Sequence, residues 1–192
     1  MDVRRILEII AAMISLILIS PLILVGVLVV RLTSEGPGLF RQPRVGRDKK
    51  EFICLKLRTM KLGTQQAGTH EVGASSVTRV GGFLRKTKFD ELPQLFNVMK
   101  GEMSFVGPRP CLPSQEELIC ERESRGVFAV RPGITGLGQV RGIDMSEPAK
   151  LADCDAEYVR KRSLWFDFQL VLKTFLGEGS GDRVRPADES PE

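Results

Sequence analysis

The sequence predicts an α-rich mixed α/β protein associated with a membrane, with an N-terminal re-entrant helix-break-helix and a cytoplasmic globular domain carrying interfacial amphipathic helices. Three observations carry this expectation. Ile9 to Val30 contains no charged residue; Ile53, Leu55 and Leu57 alternate with Cys54, Lys56 and Arg58; and apolar residues recur at helical spacing near residues 92–99 and 165–175. A chain of 192 residues can bury one core of ordinary size. The expected divisions are a membrane helix over 1–35, a globular domain over 36–176 and a tail over 177–192.

The apolar run is long enough to cross a hydrocarbon layer of about 30 Å as a straight helix. Charge argues for a different path. Arg4 and Arg5 precede the run while Arg31, Arg41, Arg44 and Arg47 follow it, so both ends carry the mark of a cytoplasmic flank. Pro21 cannot donate to the carbonyl of Ile17, so a sharp kink is expected at Ser20-Pro21, with the Ser20 hydroxyl helping to satisfy the released backbone. A helix that enters and leaves one leaflet fits both features. A kinked spanning helix is the alternative, and no small-residue cleavage site marks a signal peptide.

Downstream, the alternation at 53–58 predicts a half-buried strand with a basic face. Gly63 to Ser76 is rich in Gly, Thr, Gln and Ser, a loop in which His70 is an exposed residue and not a general base. Leu92, Leu95, Phe96 and Met99 predict a short helix starting near Pro93 and ending near Gly101. Trp165, Phe168, Leu172 and Phe175 form a second stripe behind Arg160, Lys161 and Arg162, suited either to core or to a membrane interface. Gly177 to Glu192 has almost nothing apolar to bury and reads as a disordered tail.

Lys and Arg total 28 against 24 Asp and Glu, a net charge of +4, with basic residues concentrated at 41–61 and 79–88. Such patches attract phosphate on nucleic acid, on lipid or on a nucleotide. One Trp and one Tyr leave no interleaved aromatics for stacking bases, so no nucleic-acid partner is expected. Cys54, Cys111, Cys120 and Cys154 form no CxxC and no metal-like spacing with His70, which reads as reduced thiols without a structural zinc.

FDELPQ, Phe89 to Gln94, places two carboxylates before a proline. Leu92 should be pushed away from helical geometry by Pro93, leaving Asp90 and Glu91 in the turn ahead of the helix, both ionised. Adjacent carboxylates can divide labour, one attacking phosphorus to give an acyl phosphate while its neighbour holds magnesium. They can also simply cap a helix. VGPRP confines Arg109 between two prolines, which suits bidentate phosphate recognition. VRPGITGLGQVRG brings glycines for close backbone approach, flanked by Arg131 and Arg141 and enclosing Thr135 and Gln139. With Lys56, Arg58, Arg85 and Lys88, these cations exceed what one carboxylate pair needs.

FRQPRVGRDKKEFICLKLRTM, TRVGGFLRKTKFDELPQLFNVMKGEMSFVGPRP and VRPGITGLGQVRG, in that order behind a Ser-Pro-broken apolar segment, resemble the monotopic phosphoglycosyl transferases of the bacterial sugar transferase family, from about Arg4 to Phe175. The chain looks like their minimal, catalytic-core members. The resemblance implies transfer of a sugar 1-phosphate from a UDP-sugar to undecaprenyl phosphate with release of UMP, a first membrane step of surface polysaccharide or glycoconjugate assembly. It implies a covalent phosphosugar on Asp90; magnesium at Glu91 and Asp90, with Asp167 as a further acidic position; and Ser20 and Pro21 as the break of the membrane helix. Arg109 matches the family's phosphate-gripping arginine, joined by Lys56, Arg58 and Arg85, with Arg131, Thr135, Gln139 and Arg141 as further substrate contacts. The implied setting is the cytoplasmic face of a bacterial inner membrane, with the lipid bilayer as partner and a second copy of the chain as a candidate one.

The chain departs from the family pattern at Glu8 and Glu102, where aspartate is usual, in GASSVTR, which lacks an acidic residue before the Thr-Arg pair, and at Leu137-Gly138, in place of an aromatic-alanine pair. These leave the carboxylate pair intact and put sugar preference in doubt. An inactive membrane scaffold for an envelope-assembly complex is the competing reading, and the intact pair with Arg109 argues against it.

Overall fold

The computed structural model describes residues 3–64 and 76–177. His70 and the interior of the Gly63–Ser76 loop lie outside the described residues, as does the tail beyond Gly177.

Helix α1 runs from Val3 to Thr33. Helical geometry continues through Pro21, so the expected interruption at Ser20-Pro21 is absent from the backbone. The local chemistry is as anticipated, because the Ser20 hydroxyl donates to the Ile17 carbonyl at 3.3 Å, the group that Pro21 cannot reach. Arg5, Ala12, Ile23 and Val30 are buried on one side, while Ile14, Ile17, Leu18, Leu24 and Leu28 are exposed. Both ends of α1 rest on the same domain. Arg5 donates to the carbonyls of Val98 and Met103, and Val30 packs with Leu57 and Leu84. Arg58 closes the far end, donating to the carbonyls of Glu35 and Ser34 and to the Ser34 hydroxyl; a cation suits a helix C-terminus, where carbonyls lack partners.

Strands β1 (Leu39–Val45) and β2 (Glu51–Leu57) form an antiparallel hairpin with Leu39 opposite Leu57 and Val45 opposite Glu51. The predicted strand is present, and Leu57 is buried as expected, but the first part of the strand buries its other side. Phe52 and Cys54 are buried and Ile53 is exposed, because the even-numbered side meets Ala12 of α1 and Val98 and Met103 beyond it. Lys56 therefore belongs to the face that turns toward the rest of the domain.

Helix α2 (Arg79–Lys86) is capped by Thr78, whose hydroxyl accepts from the Gly81 amide, and is followed by a 3-10 turn at Phe89–Glu91 and by α3 (Gln94–Lys100). The expected limits of α3 hold, with Pro93 ahead of the first turn and Gly101 ending it at φ 87°. The expected stripe holds at Leu92, Leu95 and Met99 but not at Phe96. Gln94, Leu95, Asn97 and Val98 are buried and Phe96 is exposed, because Asn97 binds the open edge of β2. Its side-chain amide donates to the Ile53 carbonyl at 2.7 Å and to Glu102 at 2.6 Å, and its oxygen accepts from the Leu55 amide at 3.0 Å.

Strand β3 (Ser104–Val106) runs parallel to β4 (Gly133–Thr135), beneath α5 (Leu137–Val140), α6 (Pro148–Lys161) and α7 (Leu164–Phe175), with α4 (Glu116–Ser124) packed against α6. Val106, Leu137, Cys154, Tyr158 and Leu170 make the core of this half. The stripe on α7 is not core: Trp165, Phe168, Leu172 and Phe175 are all exposed, and Leu170 is the residue the helix buries. All four cysteines are free thiols, with Cys120 exposed and the others buried.

Candidate active site

Asp90 and Glu91 occupy the 3-10 turn between α2 and α3. Lys88 opens this turn with φ 58°, a left-handed conformation that reverses the chain out of α2. Leu92 is helical (φ −54°, ψ −36°), contrary to the expectation for a residue before proline, because the 3-10 turn runs into α3 without an extended step. The pair therefore lies, as expected, in the turn ahead of α3, although that turn is a 3-10 turn that leads into the helix through helical backbone at Leu92 and Pro93.

Three other elements converge on it. Lys56 from β2 and Arg109 from the loop after β3 both reach Oε1 of Glu91, at 3.3 and 2.9 Å. Arg85 from the last turn of α2 donates Nε to the Thr59 hydroxyl at 2.9 Å, and its buried Nη1 has no hydrogen-bond partner among the described residues. Asp90 is 8 % exposed. Burial pushes its carboxyl up, Glu91 beside it adds repulsion, and Lys56, Arg85 and Arg109 pull the other way, leaving it at about 6. A carboxyl at about 6 is still mostly ionised at neutral pH, but burial makes that charge costly to hold.

Two glycines make the convergence possible. A Cβ on Gly81 would overlap the Thr59 carbonyl where α2 crosses the end of β2, and one on Gly107 would overlap the Arg131 carbonyl beside the Arg109 loop. That loop is also held by buried arginines. Arg44 donates to the Pro110 carbonyl at 2.7 Å and Arg122 to the Arg109 carbonyl at 2.9 Å. Neither was singled out by the sequence: Arg44 is one of several arginines in the first basic patch, and Arg122 lies in a charged helix with no motif around it.

The remaining predicted residues are engaged elsewhere. Arg58 is committed to the end of α1. Arg131 donates to the Gly101 carbonyl at 2.7 Å, and its neighbours are Arg5, Arg47, Glu8 and Arg162. Arg141 makes a two-point pair with Glu157 at 2.5 and 3.0 Å on the surface. Thr135 bonds Thr174 of α7 at 2.6 Å. Gln139 donates to the Ile134 carbonyl at 3.1 Å, leaving its buried oxygen without a partner among the described residues. Asp167 pairs with Arg4 and accepts from Tyr158 at 2.9 Å, joining α7 to the start of α1. Among the described residues, no cluster of three or more His, Cys, Asp or Glu side chains is placed to hold a metal.

The structure thus joins an exposed apolar helix, long enough to cross a membrane, to a small α/β domain in which the buried Asp90 and half-buried Glu91 face three cations. The chain belongs to the bacterial sugar transferase family, whose model matches residues 1–178. It is 41% identical over 180 residues to the UDP-glucose:undecaprenyl-phosphate glucose-1-phosphate transferase of Caulobacter vibrioides, covering 89% of this chain and 67% of that protein. The Escherichia coli protein of the same name is 38% identical over 89% of this chain and 39% of its own length. A UDP-N-acetylgalactosamine-undecaprenyl-phosphate N-acetylgalactosaminephosphotransferase of Aeromonas hydrophila is 37% identical, over 90% and 42%. The chain thus spans about two thirds of the first relative and roughly two fifths of the others.

Proposed function

We propose that this chain transfers a sugar 1-phosphate from a UDP-sugar to undecaprenyl phosphate, releasing UMP, with Asp90 as the nucleophile. The observation that carries the proposal is the buried Asp90 carboxylate set against Glu91, Lys56, Arg109 and Arg85. In the first step an Asp90 oxygen bonds to the phosphorus that bears the sugar. The bond from that phosphorus to the bridging oxygen breaks, and UMP leaves with the electron pair. In the second step an oxygen of the lipid phosphate attacks the same phosphorus, the acyl phosphate bond breaks, and the Asp90 carboxylate is restored. Arg109 and Lys56, held on Glu91 in the free protein, can shift their hydrogen bonds onto the incoming diphosphate. Arg85 offers Nη1 to the same group.

The donor set suits magnesium, because two adjacent carboxylates are hard oxygen ligands. Asp90 and Glu91 would hold it, and when bound it neutralises charge on the transferring phosphate. Asp167, paired with Arg4 and Tyr158, is better read as a tie between α7 and α1.

The membrane arrangement follows from α1. A straight helix from Arg5 to Val30 spans about 37 Å, yet both residues rest on one domain. A spanning helix would carry one of them away from it. Entry and exit through one leaflet, with the domain on the cytoplasmic face of the inner membrane, accommodates this packing and keeps Asp90 near the depth of a lipid phosphate. The exposed aromatic residues Trp165, Phe168 and Phe175 of α7 suit a membrane interface as well.

The relatives' names differ in the sugar, so the test is UMP release by the purified protein across a panel of UDP-sugars. Turnover should require undecaprenyl phosphate, magnesium and Asp90. Turnover by Asp90→Asn, or turnover that persists in chelator, would remove the corresponding role.

A further inference from the structure

We infer that Arg122 and Arg44 are positioning residues for Arg109, acting on consecutive backbone carbonyls of its loop; this rests on the role proposed above for Arg109. Arg122 is 2 % exposed and sits over Asp155, itself 1 % exposed, with Nε donating at 2.9 Å. Its Nη2 lies 2.7 Å from the same oxygen, an ion-pair contact without hydrogen-bond alignment. With Nη1 it donates to the Arg109 carbonyl at 2.9 Å. Arg44, also buried, is gripped by Gln42 Oε1 at 3.1 and 2.7 Å and donates its other Nη to the Pro110 carbonyl at 2.7 Å. Each guanidinium is thus held through Nε and directs Nη1 to the loop.

The arrangement is specific in direction. Arg122 arrives from α4 and is anchored on α6, whereas Arg44 arrives from β1, so the loop is held by separate elements. Pro108 and Pro110 limit the backbone around Arg109, but proline restricts torsion and does not place the loop relative to β2 or the 3-10 turn. The two carbonyl bonds supply that placement. With them, the Arg109 side chain lands 2.9 Å from Glu91. A shift of about 1 Å at a phosphate-gripping group is enough to lower a rate by orders of magnitude. A buried arginine used only for packing would be expected to satisfy its donors within its own layer; these two reach out to the one loop that carries a site residue.

The test is a double-mutant cycle read by the rate of UMP release, with the folded fraction of every variant set by its unfolding transition. Arg122→Lys keeps a cation for Asp155 and loses the fork that reaches the loop. The expected single effects are about 10-fold for Arg122→Lys and about 30-fold for Arg109→Lys, mostly in kcat. The double variant should fall by about 30- to 60-fold, well short of the 300-fold product, because the second change acts only through the first. Arg44→Lys, on the separate carbonyl, should show the same coupling and serves if Arg122→Lys does not fold. Multiplicative losses in both cycles, or full activity of both folded single variants, would overturn the inference while leaving Arg109 in its role. Full activity of Arg109→Lys and Arg109→Ala would instead overturn the underlying reading.

Discussion

Asp90 is held at a thermodynamic cost. Its carboxyl is pushed up to about 6 by burial and by Glu91, against about 3.9 in an unfolded chain. A carboxyl raised on folding binds its proton more tightly in the native state. The cost is therefore fully present above pH 6 and fades as pH falls toward 4. Asp90→Asn should stabilise the metal-free protein at pH 7.5 by up to about 3 kcal/mol and by roughly half as much at pH 5, an order-of-magnitude figure from linkage. Thermal unfolding in detergent with chelator at the two pH values checks this, and a destabilised variant at pH 7.5 would mean that the carboxylate is stabilising where it sits. The pair was legible in the sequence because its members are adjacent and their chemistry is in their letters. Lys56, Arg85 and Arg109 were legible as cations. The partners of Arg58 and Arg141 in the free protein were not legible: Ser34 and Glu157 are 24 and 16 residues away, and a distant partner leaves no trace beside an arginine.

At the scale of elements, the side that a segment buries was less legible than its existence. Strand β2 and helix α3 fall where their periodicity placed them, and Leu57 and Leu95 are buried as expected, yet Ile53 and Phe96 are exposed while Cys54 and Asn97 are buried, because Asn97 binds the edge of β2 and holds α3 against it. An asparagine within a helical stripe reads as polar surface, and only the partner strand reveals it as fully buried. Asn97→Leu would leave the Leu55 amide and Ile53 carbonyl unpaired, and should cost about 3 kcal/mol of stability. Denaturant unfolding in micelles measures it, and a loss below about 1 kcal/mol would show that water or relaxation replaces those bonds. Helix α7 was left between core and interface by its sequence. Its aromatic stripe faces outward, with Trp165 and Phe168 stacked at 5.7 Å between ring centroids.

For the whole molecule, the topology of α1 is the widest inference. Charge on both flanks suggested it, and the proposal also draws on the contacts that both ends of α1 make with the domain, although the helix continues through Pro21. Val3→Cys and Leu32→Cys, both at exposed positions, should react with an impermeant maleimide in inverted vesicles and stay protected in intact spheroplasts, in a Cys120→Ser background. Reaction of Val3→Cys from outside the cell would establish a spanning helix.

The central claim is chemical, and the most direct measurement of it is the intact mass of the acid-quenched protein after mixing with its UDP-sugar and magnesium, without lipid phosphate. One added sugar phosphate is predicted on the parent, mapped to the peptide containing Asp90, absent from Asp90→Asn and discharged by undecaprenyl phosphate. An adduct on another residue, or product formation by Asp90→Asn, would contradict the account.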